Sequence, residues 1–332
     1  MKAISKQRSF IMGMAILWVA WFHTDLMTGV EGVDFFRLTG YGGVDVFFLL
    51  TGIGAWFSLN RKPDAPGYMK RRMLRILPSY YPFILAWLLM IKVTGELYGT
   101  EIIGNLTMLG WWHGGRNQFN WYVSAIWLFY LLAPFLVVAV LRGKNKKLVT
   151  GCLILTGFFA SVTFFHTQLL MAFSRIPVFI LGIYMGYLLS GENGNEKKSI
   201  TFFNILMVIG FAVLYGSLHY LSGYLWNYGL WWYPFFLIAP GLSLDLGLLA
   251  NLLDRTKVTS FIKRAVELCG KASFEIYLIH IAVFEYAKAH WEMNGMKWLL
   301  LYFTAMIAGI CYEKLIHLIK DRIIKKHSAL AA

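Results

Sequence analysis

The sequence predicts an all-α integral membrane protein with about ten transmembrane helices. Of its 332 residues, 58% are apolar and 14% are charged, whereas a soluble domain has about 45–50% and about 25%. Apolar runs of about 20 residues, the length that crosses a bilayer, recur from one end of the chain to the other. Because little sequence remains for a soluble part, we expect a single transmembrane domain over residues 1–332.

The placement of the basic residues predicts the topology. With ten crossings and an internal N-terminus, 25 of the 31 Lys and Arg residues fall on inner segments, as the positive-inside rule requires. This explains the net charge of +14 without a nucleic acid partner. Both termini are therefore predicted to be cytoplasmic, with a basic tail from about residue 319, in a multi-pass protein of the cell membrane. Three scattered cysteines form neither a disulfide nor a zinc pattern, and no metal site is expected.

The ten predicted helices follow the apolar runs in chain order. No small-residue cleavage site follows the first run, so we interpret it as an uncleaved helix. Pro63 and Pro66 are expected to break any helix in the basic inner loop that precedes the third helix. The apolar piece Ile102–Trp112 is too short to cross, and the periodicity of residues 251–271 predicts an interfacial helix. The helices are Ser9–Leu26, Gly42–Leu59, Met73–Val93, Trp121–Leu141, Leu148–Phe165, Phe173–Leu189, Ile200–Tyr220, Tyr228–Leu249, Ala272–Ala289 and Lys297–Leu318.

His23 and Asp45 form the sharpest candidate pair. His23 lies near the outer end of the first helix, and Asp45 lies at the outer start of the second. Ionisable groups at membrane depth suggest function, and a histidine oriented by a carboxylate is a common general base. The alternative is structural, with His23 bridging helix ends and Asp45 stabilised by the helix dipole.

A basic run opens the third helix at the predicted inner face. Arg72 and Arg75 enter the helix beside Pro78, where guanidinium groups could bind phosphates bidentately. A phosphorylated cytosolic donor is the natural ligand for such a site. The alternative is that the run only orients the helix, which is the preferred explanation for Arg61 and Lys62.

Several tryptophans cluster near the outer face, and most are explained by the interfacial aromatic belt. Those near Arg116, Asn117 and Asn120 could instead stack on a sugar ring. Considered by itself, a histidine on a largely apolar helix such as His280 is more typical of a hydrogen-bonded interior group than of a catalyst. Glu275 and Glu285 need partners at membrane depth, which the sequence does not name.

Six motifs in chain order resemble the acyltransferase 3 family of multispanning membrane acyltransferases, over nearly the whole chain. They are His23 in the first helix, GVDVFF with Thr51-Gly52 around Asp45, the run Arg71, Arg72, Arg75, Ile76, Pro78 and Tyr80, then Trp121 with Phe129-Tyr130 and Pro134, then Arg175 with Phe179 and Gly182, and finally Gly270, Ser273, Phe274 and the run from Ile276 to His280.

The chain departs from the family pattern at two positions. Met12 stands where the family usually has an arginine, eleven residues before the helix-1 histidine, and Arg8 lies one turn earlier. Ile126 stands where the fourth helix often carries a glutamate. Either change could alter how the donor is handled.

The resemblance implies transfer of an acyl group, commonly acetyl, from coenzyme A to a hydroxyl of a surface carbohydrate or lipid-linked glycan. His23 would be the general base, oriented by Asp45. The resemblance further implies that Arg71, Arg72, Arg75 and Tyr80 bind the acyl-CoA, and that Trp121, Tyr130, Arg175 and His280 bind the acceptor.

Two other functions are weighed against this one. A transporter of a glycan or anionic metabolite is compatible with charged groups in ten helices, although no inverted repeat or paired broken helix is found. A non-catalytic relative is conceivable because of Met12 and Ile126. The acceptor, the acyl chain and the oligomeric state stay open, a homo-oligomer included.

Overall fold

The fold is a set of helices without strands in the part of the chain that the structure describes. A computed structural model describes residues 2–61, 63–114, 119, 121–191 and 196–330. The predicted all-α class is therefore confirmed for these residues. The helices divide between two compact units, the first comprising residues 1–8, 44–72 and 97–252 and the second residues 9–43, 73–96 and 253–332. The prediction of a single domain stays a prediction.

The first unit is built from the middle of the chain. Its helices are α1 (Lys2–Lys6), α4 (Gly43–Leu59), the start of α5 (Ala65–Thr94), α6 (Gly99–Thr107), α7 (Trp121–Arg142), α8 (Lys146–Val162), α9 (Leu170–Phe173), α10 (Ile176–Ser190), α11 (Glu196–Tyr220) and α12 (Phe235–Leu252). Helices α4 and α10 pack with their backbones in contact, because a Cβ on Gly52 would overlap the Phe179 carbonyl oxygen and one on Gly182 would overlap that of Leu49. Small residues permit such close crossings in membranes.

The second unit combines the two ends of the chain. Its helices are α2 (Arg8–Phe22), α3 (Glu31–Leu38), the remainder of α5, α13 (Lys257–Lys271), α14 (Ser273–His290) and α15 (Gly295–Leu330). Helix α2 crosses α13 where a Cβ on Gly13 would overlap the Val266 carbonyl and one on Gly270 would overlap that of Ser9. Helices α14 and α15 meet in the same way at Gly309.

Seven of the described helices are long and apolar enough to cross a bilayer, by length and composition. They lie within 40–59, 65–94, 121–142, 170–190, 200–220, 235–255 and 295–322. The other three predicted crossings coincide with α2, α8 and α14, of 15, 17 and 18 residues. At about 1.5 Å per residue, 15 residues span only about 22 Å of a hydrocarbon core about 30 Å thick. The count of ten crossings and the cytoplasmic termini are therefore not confirmed.

Large apolar side chains are exposed along these helices. Val93 is 78% exposed, Phe135 76% and Phe159 72%. Soluble monomers rarely expose contiguous apolar patches of the size that such residues would make together, whereas lipid covers them at no cost. The exposed faces support a multi-pass membrane protein.

Several helix boundaries differ from the predictions: α2 ends at Phe22 rather than at Leu26, and α12 begins at Phe235 rather than at Tyr228. Helix α5 begins at Ala65 rather than near Met73, because Pro66 occupies its first turn, where the missing N–H costs no hydrogen bond. The outer loop before Tyr41 contains the helix α3. Helix α15 continues to Leu330, so the predicted basic tail is helical.

Candidate functional site

Two histidines meet in the second unit. The imidazole rings of His23 and His280 lie edge to face, with centroids 5.2 Å apart. His280 is fully buried in α14, and His23 stands directly after the last residue of α2 and is partly exposed. The structure therefore brings together the first and the last motif of the predicted site.

Both imidazoles have the same tautomer. Nδ1 of His23 lies 2.8 Å from the Val19 carbonyl oxygen, and Nδ1 of His280 lies 2.8 Å from that of Ile276. A carbonyl oxygen only accepts, so each Nδ1 carries the proton and each Nε2 keeps a lone pair. Nε2 of His280 is buried without a hydrogen-bond partner, which is costly unless a ligand or water completes it. The two rings can thus accept protons or hydrogen bonds.

Asp45 lies in the first unit and pairs with Arg175. Its Oδ1 is 3.4 Å from the Arg175 Nε, and each side chain is 1% exposed. The guanidinium carbon of Arg175 also lies 5.1 Å from the ring centroid of Trp121 and 4.9 Å from that of Trp232. Such a buried cation needs this combination of a counter-ion and aromatic faces. The arrangement links three predicted site residues, Asp45, Trp121 and Arg175.

Arg72 forms a second cluster in the first unit. Its guanidinium carbon lies 4.8 Å from the Tyr68 ring centroid and 5.6 Å from that of Tyr130, and its Nε is buried without a hydrogen-bond partner. Its Nη2 reaches the Gly54 carbonyl at 3.5 Å. Arg8 donates to the Leu50 carbonyl at 2.7 Å, one turn earlier on the same helix α4. Two guanidinium groups therefore face the middle of α4, from Leu50 to Gly54.

The remaining residues of the predicted donor site lie along α5. Arg71 donates to the Ser58 hydroxyl at 3.2 Å and is exposed. Arg75 is also exposed, and Tyr80 is buried against Tyr81 with ring centroids 5.8 Å apart. Arg71 and Arg75 are four residues apart on a continuous helix, and so they share one of its faces.

Glu275 has a partner that the sequence did not name. The Ser79 hydroxyl on α5 donates to its carboxylate, and the Tyr312 hydroxyl donates to the Ser79 carbonyl at 2.7 Å. This network connects α14 and α15 to the middle of α5. Glu285 is exposed on α14.

A comparison with protein-family sequence models shows the family of the chain. The sequence model of the acyltransferase 3 family, described as an acyltransferase domain, matches residues 11–312. The chain belongs to the acyltransferase 3 family. No curated protein and no solved structure matches it. Family membership makes the chain a multi-pass membrane acyltransferase in general terms.

The predicted contact between His23 and Asp45 stays a prediction for this acyltransferase, since the two residues belong to different units. The hydrogen bond to the Val19 carbonyl fixes the tautomer of His23, a role that we expected the Asp45 carboxylate to have. Of the two departures from the family pattern, Met12 is partly exposed on α2, and Ile126 is buried in α7. The residues Arg116, Asn117 and Asn120 lie outside the described part of the chain.

Sequence reasoning missed three residues of this acyltransferase that complete the clusters. Tyr68 lies four residues before Arg72 on α5, so both side chains lie on one face of the helix. The predicted helix began near Met73 and therefore did not include Tyr68. Trp232 is one of the tryptophans near the predicted outer face, which the aromatic belt explains. Arg37 lies between the first two predicted helices, in a segment where no sequence pattern indicates a site.

Proposed function

We propose that the acyl donor is acetyl-CoA and that the acceptor is a hydroxyl of a surface carbohydrate or lipid-linked glycan. In this mechanism Nε2 of His23 takes the proton of the acceptor hydroxyl. The oxygen attacks the thioester carbonyl, the C–S bond breaks, and the coenzyme A thiolate leaves and is protonated. The observation that carries the proposal is the hydrogen bond from Nδ1 of His23 to the Val19 carbonyl, because it leaves Nε2 ready to accept a proton.

His280 is proposed to bind the acceptor. Its buried Nε2 lacks a hydrogen-bond partner, and its ring adjoins that of His23. A second hydroxyl of the acceptor could donate to it and thereby hold the reacting hydroxyl near His23. We further propose that Trp121, Tyr130 and Arg175 contact the acceptor, and that Asp45 orients His23.

Arg71, Arg72, Arg75 and Tyr80 are proposed to hold the coenzyme A moiety. The unpartnered Nε of Arg72 and the exposed Arg71 and Arg75 support this proposal, since guanidinium groups bind phosphates bidentately. The predicted inner location of these arginines matches the side from which acyl-CoA is available.

The test is transfer of a radiolabelled acetyl group from acetyl-CoA to isolated surface polysaccharides and lipid-linked glycans by the purified protein in nanodiscs. We expect label in an alkali-labile ester on the acceptor, as well as free thiol. Because His280 is proposed to bind the acceptor, His280→Ala should label the acceptor more slowly than wild type. His290→Ala is its control and should label at the wild-type rate, because His290 lies on the same helix, its Nδ1 also donates to a carbonyl oxygen at 2.9 Å, and it is exposed. Label on no acceptor, from acetyl-CoA or from longer acyl-CoA donors, would overturn the proposal.

A further inference from the structure

The turn that carries His23 is held on both sides by one arginine. Arg37 is 6% exposed and lies on α3. Its Nη1 donates to the carbonyl oxygens of Phe22, at 3.5 Å, and of Thr24, and its Nη2 contacts Met27 Sδ at 3.0 Å. Phe22 and Thr24 are the immediate neighbours of His23 in the chain. A planar guanidinium suits this bridging role because its donors have a fixed geometry.

The end of α2 explains why an arginine is needed there. The last turn tightens, with the His23 N–H bonded to the Ala20 carbonyl at 3.2 Å and the Thr24 N–H to that of Trp21 at 3.1 Å. The Val19 carbonyl thereby loses the backbone donor of a regular helix and accepts from the His23 imidazole instead. The carbonyls of Phe22 and Thr24, at and beyond the end of this turn, have no helical donor, and Arg37 donates to both.

Arg37 is itself held in place by the packing of α3. The Asp34 carboxylate accepts hydrogen bonds from the Thr28 N–H at 2.7 Å, the Thr28 hydroxyl at 3.0 Å and the Gly29 N–H at 2.9 Å. The bond from the Thr28 N–H is the main reason why the pKa of the Asp34 carboxyl lies below its usual range. Trp18 on α2 donates to the Phe36 carbonyl and stacks on its ring at 4.6 Å. These contacts fix the position of α3 relative to α2, and with it the position of Arg37.

We propose that Arg37 is a positioning residue that sets the direction in which His23 presents Nε2. Arg37 acts through the backbone on either side of His23 and does not itself touch the acceptor. The inference rests on the proposed role of His23 as the base. Without Arg37, two carbonyls lose their donor and the turn relaxes, so the imidazole loses its bond to Val19 for part of the time. A displacement of about 1 Å can cost about 100-fold in rate.

The experiment compares wild type with Arg37→Ala and Arg37→Lys in nanodiscs, with Arg142→Ala as a control at an exposed helix end. We expect Arg37→Ala to lower kcat by roughly 10- to 100-fold while the Kd for coenzyme A changes by less than about twofold. The kcat of Arg37→Lys should lie between those of wild type and Arg37→Ala, since one ammonium group cannot reproduce the fixed geometry of the guanidinium donors. Added methylguanidinium should restore part of the kcat of Arg37→Ala but not of His23→Ala. An unchanged kcat in folded Arg37→Ala would overturn the inference, as would a loss that methylguanidinium does not relieve.

A second readout keeps this test separate from the proposed function. Diethyl pyrocarbonate modifies the unprotonated imidazole nitrogen, and the extent at each histidine can be measured by mass spectrometry. We expect the modification rate of His23 to change several-fold in Arg37→Ala and Arg37→Lys, with the rate at the exposed His290 as an internal reference. If wild type shows no transfer but His23 responds in this way, the proposed function fails and the positioning role stands. Equal His23 rates in all variants would reject the positioning role whatever the activity.

Discussion

Removing one partner of the buried pair Asp45–Arg175 should destabilise the protein far more than removing one partner of an exposed pair of similar length. Both side chains are 1% exposed, and the two atoms are 3.4 Å apart. At an effective dielectric constant of about 20, unit charges at this distance attract by about 5 kcal/mol. Arg175→Met would strand the Asp45 carboxylate and remove the contacts with Trp121 and Trp232. We therefore expect it to lower the free energy of unfolding by about 3–5 kcal/mol.

The measurement is a double-mutant cycle with Asp45→Asn, Arg175→Met and the double variant. Reversible unfolding in mixed micelles of dodecyl sulfate and a nonionic detergent, followed by circular dichroism, would give each free energy. The double variant should lose less than the sum of the single variants by about 2 kcal/mol or more, because no charge is left stranded. The matched control is Asp25–Lys288, at 3.7 Å with exposures of 65% and 35%, for which we expect a coupling of about 0–1 kcal/mol. Equal couplings for the two pairs would refute this reasoning.

Three further predictions concern donor binding, packing and pH. Arg72→Met should weaken coenzyme A binding roughly 10- to 100-fold by calorimetry, since a hydrogen bond to a charged group contributes about 1.5–3 kcal/mol, while Arg142→Met should leave it unchanged. Gly270→Ala should lower the free energy of unfolding by about 1–3 kcal/mol through overpacking, whereas Gly216→Ala, with open space around its Cα, should be neutral or stabilising. Folding lowers the pKa of the Asp34 carboxyl, so wild type should be more stable than Asp34→Asn above about pH 4. This difference should disappear on acidification, and thermal unfolding of both proteins at several pH values would test it.

The long helices and the close crossings could be predicted from the sequence because both depend on local composition. Helix α4 was placed within one residue, at Gly43–Leu59, since its apolar run starts after a glycine pair and ends in a basic loop. Gly52 makes a close helix contact, as small residues in membrane helices favour. The amphipathic pattern of residues 251–271 likewise predicted α13.

The predicted helices were wrong where two local sequence rules conflict or where a helix depends on its neighbours. Pro66 was interpreted as a helix breaker, although a proline in the first turn favours helix initiation. The short helix α3 was missed because its eight residues, EGVDFFRL, are marginal as an isolated helix and form against α2 through Trp18 and Phe36.

The partners of the buried charges could not have been predicted from one sequence. Asp45 meets Arg175, and Glu275 meets Ser79, through helices that are distant along the chain. Helical periodicity shows which face a residue occupies, but not which other helix covers that face. The motif order indicated which residues to expect at the site, whereas their pairing needed the three-dimensional packing.

The most direct test of the account is coenzyme A release from acetyl-CoA by purified wild type, His23→Ala and His290→Ala, with acceptor glycans present. The account predicts thiol release by wild type and by His290→Ala at similar rates. His23→Ala should lose roughly 10²- to 10⁴-fold in kcat, the usual contribution of a general base, at unchanged affinity for coenzyme A. Wild-type turnover in folded His23→Ala would contradict the central claim that Nε2 of His23 accepts the proton of the acceptor.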